Sequence, residues 1–375
     1  QLSRWKIMDK KGSCILSTGG TGGHVFPTVA LAKSLIEQGW EVIIFSDNRG
    51  RDFLEKGSPD YEVQELSISS ESISFFKKIF IYQYQIPVNF FKAFSLFLKI
   101  KPQFAVGFGG VSTAPVLLAA LCLGVPLFLQ EQNAVLGRVN KFFQKFSKIV
   151  FYHFEKTKFL DKTKSVHSGN PVRKAILGKE NSQYLEPGTW PTTILVLGGS
   201  QGATLLSNII PKALSQISAA IKGRITVFHQ ARIEDIEKVN FSYNKIGVKA
   251  NVDIFFENID ELISQAQLII SRAGANTLTD ISVIGRPAIF IPLSSAKDDH
   301  QRINAKIFEE NKAAISIQEN EISPKNLSCV ISKILKSPSK ALKMAKYSYA
   351  MSKPKASTEI ISEIEKMIGR QIDCN

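Results

Sequence analysis

Several features that mark other protein classes are scarce or missing in this 375-residue sequence. Its four cysteines are widely scattered, and none has the spacing of a metal site or a redox pair, which predicts reduced thiols in a cytosol. No apolar run reaches the roughly 20 residues of a membrane-spanning helix, because the longest, 113–129, contains Pro115, Gly124 and Pro126. We interpret that run as a buried helix followed by a strand. Residues 1–11 have no apolar core, so we do not expect a secretory signal there.

Positive charge, in contrast, is abundant. The formal net charge is +14 at pH 7, in a chain that is 44% hydrophobic and 21% charged, as in ordinary globular proteins. The length predicts two or three domains. So basic a protein attracts a polyphosphate substrate, an anionic membrane surface or nucleic acid. Because RNA-binding sheet signatures and a long basic helix are missing from the sequence, we do not expect nucleic acid as a partner.

Two segments of the sequence begin alike, with a strand, a glycine-rich loop and a helix. Strand 13–18 precedes Gly19-Gly20-Thr21-Gly22-Gly23-His24, and we place Pro27 in the first turn of the helix that follows. Strand 193–197 precedes Gly198-Gly199-Ser200-Gln201-Gly202-Ala203 and another helix. Strands that alternate with helices predict α/β domains with parallel sheets, each binding its ligand at the carboxyl ends of the strands.

Both glycine loops place backbone amides at a helix N-terminus, which attracts anions or oxygen-rich groups. Counted from Gly20, the first loop has Val25 where a dinucleotide-binding loop has glycine or alanine, and it lacks the Gly-Lys-Ser/Thr of a P-loop. A tight turn without a ligand remains an alternative for both loops. An imidazole such as that of His24 suits general-base work near neutral pH. Asp47 stands at the end of the second strand, where a dinucleotide-binding enzyme has a carboxylate for the ribose. An NAD-dependent dehydrogenase is therefore an alternative, although a less favoured one.

The most specific pattern lies toward the C-terminus. Segment 271–277 follows a strand and opens a helix that carries Asp280, and segment 297–301 precedes a helix that contains Asn304. These features together suit a nucleoside diphosphate sugar. They are a strand-end loop of small residues, a carboxylate that can accept hydrogen bonds from two ribose hydroxyls, and a later amide-bearing segment. The alternatives are a solvated helix face for Asp280 and a surface or capping position for His300.

These motifs, taken in order and spacing, resemble the MurG family of glycosyltransferases. The matching segments are Gly20-Thr21-Gly22-Gly23-His24, Glu131-Gln132-Asn133, Gly169-Asn170-Pro171-Val172-Arg173, Gly198-Gly199-Ser200-Gln201-Gly202-Ala203 and Ser271-Arg272-Ala273-Gly274-Ala275. The resemblance covers about residues 15–304. It implies an inverting transfer of N-acetylglucosamine from UDP-N-acetylglucosamine to the muramyl C4 hydroxyl of lipid I, which forms lipid II in peptidoglycan synthesis.

The resemblance also implies an architecture, GT-B, in which two Rossmann-like domains with parallel sheets face each other across a cleft. We expect an N-terminal acceptor- and membrane-binding domain at 1–168, a UDP-sugar-binding domain at 169–348, and a helix within 349–375 that returns to the N-terminal domain. The sequence has no Asp-x-Asp motif for a metal-bound diphosphate, so we expect catalysis without a metal and without a cofactor.

Site residues follow from the resemblance, position by position. His24 is implied as the base that activates the acceptor hydroxyl, and Glu131 is the second candidate. Gln130, which replaces a histidine common in the family, cannot act as a base. The acceptor-binding residues are Thr21, Gly22, Gly23 and Asn133. The donor-binding residues are these four together with Arg173, Ser200, Gln201, Phe256, Ala275, Asn276, Thr277, Asp280, His300 and Gln301. At Asp280 the family usually has the longer glutamate.

Phenylalanines alternate with lysines between residues 75 and 99, a composition that suits an anionic leaflet. An ordinary amphipathic helix suits the same composition. Because the acceptor implied by the resemblance is membrane-bound, we expect peripheral attachment to the cytoplasmic face of the bacterial inner membrane. The expected partners are UDP-N-acetylglucosamine, undecaprenyl-linked lipid I, the anionic membrane surface and other cell-wall synthesis proteins. The remaining alternatives for function are a glycolipid glycosyltransferase, a UDP-N-acetylglucosamine 2-epimerase, and a non-catalytic nucleotide- or membrane-binding protein.

Overall fold

The computed structural model describes residues 11–55, 60–67, 75–188, 191–199 and 203–372. The chain divides into two compact units, one formed by Gln1–Arg173 with Lys355–Asn375 and the other by Lys174–Pro354. Two predicted donor-binding residues, Ser200 and Gln201, lie outside the described residues, as does the segment 1–10.

The first unit is built on a seven-stranded parallel sheet. Its strands are β1 (Gly12–Ser17), β2 (Trp40–Asp47), β3 (Glu62–Leu66), β4 (Phe104–Gly107), β5 (Leu127–Glu131), β6 (Ile149–Tyr152) and β7 (Ser165–Val166). They lie in the order β3-β2-β1-β4-β5-β6-β7. The helices between them are α1 (Gly22–Glu37), α2 (Asn48–Glu55), α3 (Phe75–Ile100), α4 (Ala114–Cys122) and α5 (Arg138–Phe143).

The strand order reverses at β1, which pairs with β2 on one side and β4 on the other. Ser17, the last residue of β1, lies opposite Gly107, the last residue of β4, and opposite Phe45 of β2, which continues for two more residues to Asp47. The loops after these strands therefore meet at one edge of the sheet. In open α/β sheets, such a reversal is where ligands bind. The predicted run 113–129 forms α4 and β5, as expected.

The first helix begins earlier than the sequence predicted. Thr21, in extended conformation, accepts hydrogen bonds through its carbonyl from the amides of His24 (2.9 Å) and Val25 (3.1 Å), so α1 starts at Gly22. Pro27 consequently lies in the second turn and not in the first, where a proline costs least. This correction matters for the site, because it places His24 in the first turn of a helix rather than in the loop before it.

Helix α3 contains the phenylalanine- and lysine-rich stretch. Its two faces differ, since Phe97 is buried in the core of the unit whereas Tyr84, Phe91 and Leu98 are exposed. Lys92 donates to the backbone carbonyl of Glu65 at 2.6 Å. Within the described ranges, no helix has both the length and the apolar character needed to cross a bilayer.

The second unit is built on a six-stranded parallel sheet. Its strands are β8 (Thr192–Leu197), β9 (Ile225–Gln230), β10 (Lys249–Asp253), β11 (Leu268–Ser271), β12 (Ala288–Phe290) and β13 (Ala314–Ser316), in the order β10-β9-β8-β11-β12-β13. Its helices are α6 (Lys174–Leu177), α7 (Thr204–Ser215), α8 (Ala219–Lys222), α9 (Ile236–Lys245), α10 (Ile259–Gln265), α11 (Ala275–Ile284), α12 (His300–Glu310), α13 (Pro324–Leu335) and α14 (Pro338–Ala350). The order reverses at β8, as it does at β1. The prediction of two α/β domains with parallel sheets is confirmed.

The last helix, α15 (Ala356–Ile372), belongs to the first unit. Its side chains Ile360, Ile364 and Ile368 recur at helical spacing and are buried in the core of that unit. Burial of a side chain of this size stabilises a fold by about 1.5–3 kcal/mol. Glu365 accepts a hydrogen bond from the indole nitrogen of Trp40 at 3.0 Å, which ties α15 to β2. The C-terminal helix therefore completes the core of the N-terminal unit.

Candidate active site

Two glycine turns approach each other at the carboxyl edge of the first sheet. Gly110 follows β4 with φ +93°, and a Cβ atom there would lie 3.0 Å from the Cα of Gly19, which follows β1. Neither the backbone conformation nor the space accepts a side chain at Gly110. Backbone amides and carbonyls are therefore packed closely at the point where the strand order reverses.

Asp47 holds the first glycine loop through a hydrogen bond to its backbone. This buried carboxylate at the end of β2 accepts hydrogen bonds from the amides of Gly20 (3.0 Å) and Gly50 (3.2 Å). A Cβ atom on Gly20 would lie 2.0 Å from Asp47 Oδ1, so the loop has room only for glycine. In a dinucleotide-binding enzyme a carboxylate at this position contacts the ribose. Here one oxygen accepts from Gly20 of the loop and the other from Gly50 in α2, which removes the ribose ligand on which the dehydrogenase alternative depended.

His24 lies next to the Glu-Gln-Asn segment that follows β5. Its Nδ1 atom is 3.0 Å from Oε1 of Gln132, a buried side chain, while the imidazole itself is half-buried. Gly109 passes close to the ring, since a Cβ atom on that residue would lie 3.4 Å from His24 Cε1. The structure thus brings together the two motifs that the sequence placed more than a hundred residues apart.

Glu131, the second candidate for the base, holds the loop between β5 and α5. Its buried carboxylate accepts hydrogen bonds from the amides of Asn133 (3.0 Å) and Gly137 (2.9 Å) and from Asn140 Nδ2 (2.9 Å). Burial raises the pKa of Glu131, although the hydrogen bonds from Gly137, Asn133 and Asn140 oppose this shift. Because both oxygens accept hydrogen bonds from the loop, the geometry favours a structural role for Glu131 over proton transfer.

Other predicted residues of the first unit lie around the start of α1. Thr21 and Gly23 are exposed, Gly22 is buried and Asn133 is half-buried. Arg173 places its guanidinium carbon 5.0 Å from the ring centroid of Phe26 in α1, which is a cation–π contact. The Arg173 side chain therefore lies against α1.

In the second unit, the backbone of one residue, Ala273, is held by two side chains of α12. Gln301 Oε1 accepts a hydrogen bond from the amide of Ala273 at 3.2 Å, and Asn304 Nδ2 donates to the carbonyl of the same residue at 3.2 Å. Gln301 Oε1 also accepts from the amide of Leu293 at 3.0 Å. The amide oxygen of Gln301 therefore joins two strand-end loops, so its Nε2 is the group suited to donating to a sugar hydroxyl.

An ion pair that no motif indicated joins the same loops. Arg272, after β11, lies 2.6 Å from Oε1 of Glu319, and Glu319 Oε2 accepts from the amide of Ser294 at 2.9 Å. Burial alone raises the pKa of Glu319, but the hydrogen bonds from Ser294 and Arg272 outweigh it, and the pKa is lowered. Sequence reasoning missed Glu319 because it lies 47 residues from Arg272 in a segment without a recognisable pattern.

Helix α11 presents its N-terminus at this edge of the sheet. Ala275 begins the helix and is buried, while Asn276 and Thr277 are half-buried. Asp280, one turn further on, is 9% exposed, so the alternative of a solvated helix face is wrong. Phe256, after β10, is buried with its ring centroid 6.2 Å from that of Phe228.

His300 begins α12, after two residues with left-handed backbone, Asp298 and Asp299 (φ 54° and 56°). Its Nδ1 atom donates to the carbonyl of Lys297 at 2.6 Å, which directs Nε2 away from the backbone. Among the described residues, His, Cys, Asp and Glu side chains form no group of three or more placed to hold a metal ion.

Comparison with known proteins identifies the family. Residues 14–152 match the glycosyltransferase family 28 N-terminal domain, and residues 193–360 match the glycosyltransferase family 28 C-terminal domain. Two curated relatives, from Caulobacter vibrioides and Agrobacterium fabrum, are UDP-N-acetylglucosamine--N-acetylmuramyl-(pentapeptide) pyrophosphoryl-undecaprenol N-acetylglucosamine transferases. The first is 37% identical over 94% of this chain and 98% of its own length, and the second is 38% identical over 96% of each.

Solved structures agree with this assignment. The crystal structure of Acinetobacter baumannii MurG is 29% identical, covers 94% of this chain and 99% of its own, and superimposes with a TM-score of 0.76. A UDP-N-acetylglucosamine 2-epimerase from Neisseria meningitidis, which covers 94% of this chain and 100% of its own, has a TM-score of 0.65 at 13% identity, which shows a common fold alone. The predicted GT-B fold class of two Rossmann-like domains is confirmed. This chain belongs to the MurG family of glycosyltransferases.

Proposed function

We propose that this protein transfers N-acetylglucosamine from UDP-N-acetylglucosamine to the muramyl C4 hydroxyl of lipid I, with inversion and without a metal. The observation that carries the proposal is the position of His24, in the first turn of α1 and hydrogen-bonded to Gln132, at the strand-order reversal of the first sheet. The names and the near full-length similarity of the curated relatives support the substrate pair.

In the proposed reaction the acceptor oxygen attacks the anomeric carbon of the donor sugar. A bond forms between the C4 oxygen and that carbon, the bond from the carbon to the UDP oxygen breaks, and the hydroxyl proton moves to Nε2 of His24. A positioned base of this kind contributes typically 10²- to 10⁴-fold to a rate. UDP leaves as an anion, which backbone amides at a helix N-terminus stabilise.

We assign acceptor binding to the first unit and donor binding to the second. Thr21, Gly22, Gly23 and Asn133 surround His24 in sequence and fold, which supports their role toward the acceptor; contacts of these four and of Arg173 with the donor remain predictions. Ala275, Asn276, Thr277 and Asp280 share the start of α11, which suits a diphosphate and a ribose. Phe256, His300 and the Nε2 group of Gln301 complete the proposed donor set, with Ser200 and Gln201.

We further propose peripheral binding to the cytoplasmic face of the bacterial inner membrane through α3. Tyr84, Val88, Phe91 and Leu98 follow one another at helical spacing and are exposed, Phe91 by 67%. Apolar side chains beside basic ones suit an anionic leaflet, where the rings enter the headgroup region and ammonium groups contact phosphates. Attachment there brings the enzyme to a membrane-bound acceptor.

A transfer assay tests the reaction. Purified protein should move labelled sugar from UDP-N-acetylglucosamine to a lipid I analogue, with an established transferase as the positive control. Failure to transfer while the control works would refute the proposal. An epimerase would instead release a modified sugar without any acceptor, and analysis of the products distinguishes the two.

The base is tested by His24→Ala. We expect kcat to fall by about 10²- to 10⁴-fold because the variant lacks the base that takes the proton of the acceptor hydroxyl. The Kd for UDP should stay within about twofold. Glu131→Gln is the comparison, and it should affect stability more than turnover. A near-normal rate for His24→Ala would move the role of base to another group.

A further inference from the structure

Gln132 is a motif residue to which the mechanism above gives no role. It follows β5, it is 1% exposed, and its Oε1 atom lies 3.0 Å from Nδ1 of the His24 ring. A buried side-chain amide is usually hydrogen-bonded through both its nitrogen and its oxygen, and this alone indicates no functional role. The particular partners of Gln132 allow a stronger conclusion.

The direction of the Gln132 amide is fixed by a group that can only accept, the backbone carbonyl of Phe108. Its Nε2 lies 3.1 Å from the backbone carbonyl oxygen of Phe108 and also donates to the side-chain oxygen of Gln130. Gln130 in turn is oriented by donating from its own Nε2 to Asn170 Oδ1 at 3.2 Å. A carbonyl oxygen cannot donate a hydrogen bond. The nitrogen of Gln132 must therefore face Phe108, and its oxygen must face His24.

The oxygen of Gln132 determines which nitrogen of His24 carries the proton. Oε1 accepts only, so His24 Nδ1 must donate to it across the 3.0 Å between them. In a neutral imidazole one nitrogen carries hydrogen and the other has a lone pair. With hydrogen on Nδ1, the lone pair is on Nε2.

We infer that Gln132 is a positioning residue that holds His24 in the tautomer with its proton on Nδ1 and so presents Nε2 as the proton acceptor. This inference rests on the proposed role of His24 as base. An amide performs the task without adding charge, whereas a carboxylate in its place would stabilise the imidazolium form and raise the pKa of the ring.

Two variants separate positioning from packing. Gln132→Met keeps the side-chain length but removes the amide, and we expect kcat to fall by about 10- to 100-fold with the donor KM nearly unchanged. Gln132→Glu keeps an acceptor toward Nδ1 and adds a negative charge, so the acid limb of the pH profile of kcat/KM should move to higher pH by about one unit. A glutamine that only packs, without orienting His24, predicts the same kcat for Gln132→Met as for Gln130→Met.

Gln130→Met is the matched control. It removes a neighbouring buried amide of the same kind, but the Phe108 carbonyl still orients Gln132. Its thermal stability should fall as in Gln132→Met, while the acid limb stays where it is in the unsubstituted enzyme. If Gln130→Met and Gln132→Glu moved the limb equally, the inference would be overturned.

A measurement independent of turnover tests the tautomer itself. In protein labelled with ¹⁵N-histidine, the His24 signals, identified by their loss in His24→Gln, should show hydrogen on Nδ1 and a lone pair on Nε2. Gln132→Met should shift them toward a mixture of tautomers. A wild-type spectrum with hydrogen on Nε2 would refute the inference even if the transferase is active, and an inactive protein with the expected spectrum would refute the proposed function instead.

Discussion

The two glycine loops look alike in sequence but need glycine for different reasons. In the first loop, Gly20 lies against the Asp47 carboxylate, and a Cβ atom would meet it at 2.0 Å. In the second, a Cβ atom on Gly199 would have no neighbour within 4 Å among the residues that the structure describes, but the residue has φ +84°. The first loop thus requires glycine for space and the second for backbone conformation.

The edges that carry these loops are also stabilised differently. In the first unit, buried carboxylates accept from backbone amides, as Asp47 and Glu131 do. In the second, the amide Gln301 and the Arg272–Glu319 ion pair connect the loops. Removal of a buried carboxylate leaves several amides of the first edge unpaired, whereas neutralising Glu319 leaves one largely buried guanidinium, that of Arg272, without its counter-charge. We therefore expect substitution of these carboxylates to cost the first edge backbone hydrogen bonds and the second edge a charge pair.

The largest effect is expected for Gly20→Ala. The added methyl group collides with Asp47 and displaces the acceptor of two buried amides, so the free energy of unfolding should fall by about 3–5 kcal/mol. Urea unfolding followed by tryptophan fluorescence measures it. Gly23→Ala is the control, because its Cβ would meet only Thr21 Oγ1 at 3.5 Å. Equal losses in the two variants would contradict the requirement for space at Gly20.

The second prediction concerns acid stability, in which the two units should be similar. Burial lowers the pKa of His153 in the first unit to about 3 and that of His229 in the second to about 4. Between these values and the ordinary 6.5, the unfolded chain binds protons that the folded chain does not, so stability falls as pH decreases. At pH 5 each histidine should cost about 2 kcal/mol relative to neutral pH.

Urea unfolding of His229→Gln at pH 7.5 and pH 5 measures the contribution from the second unit. The variant should lose less stability on acidification than the unsubstituted protein, and His300→Gln, at a half-exposed position, should behave like the unsubstituted protein. An unchanged acid sensitivity in His229→Gln would show that this histidine is not kept neutral by the fold.

A smaller effect is expected when the ion pair of the second unit is weakened. Glu319→Gln removes the charge opposite Arg272 and one acceptor of the loop that leads to His300, so the donor KM should rise by about tenfold with little change in kcat. Steady-state kinetics with varied UDP-N-acetylglucosamine gives both constants. Glu321→Gln, two residues away and exposed, should leave them unchanged. If both variants behaved alike, the ion pair would not position the donor loop.

The smallest effect is expected for Gly199→Ala. Only the left-handed backbone opposes the methyl group, so the free energy of unfolding should fall by about 1–2 kcal/mol. The same urea measurement as for Gly20→Ala applies. A loss as large as that of Gly20→Ala would show that the second loop is packed as tightly as the first.

Much of the fold was predictable because it depends on local patterns. Alternating apolar strands and helices predicted both sheets, and the motif order from Gly20 to Ala275 indicated the family. The start of α1 was predicted wrongly. Proline is common in the first turn of a helix, but the hydrogen bonds that Thr21 accepts from His24 and Val25 start this helix earlier, at Gly22. For Asp280 the sequence left two alternatives open, and only its burial decided between them, because a polar residue in a helix reveals nothing about what covers it.

The sequence by itself determined which residue types stand after each strand: glycines after β1 and β8, a histidine in α1, and the Glu-Gln-Asn segment after β5. Tertiary structure decided what each of them does. Asp47 became the support of a loop, Glu131 the anchor of another, and Gln132 the partner of His24, since a hydrogen bond depends on distance and direction in space. Residues 24 and 132 are in contact because parallel strands end at one edge of a sheet. Their separation along the chain does not predict that contact.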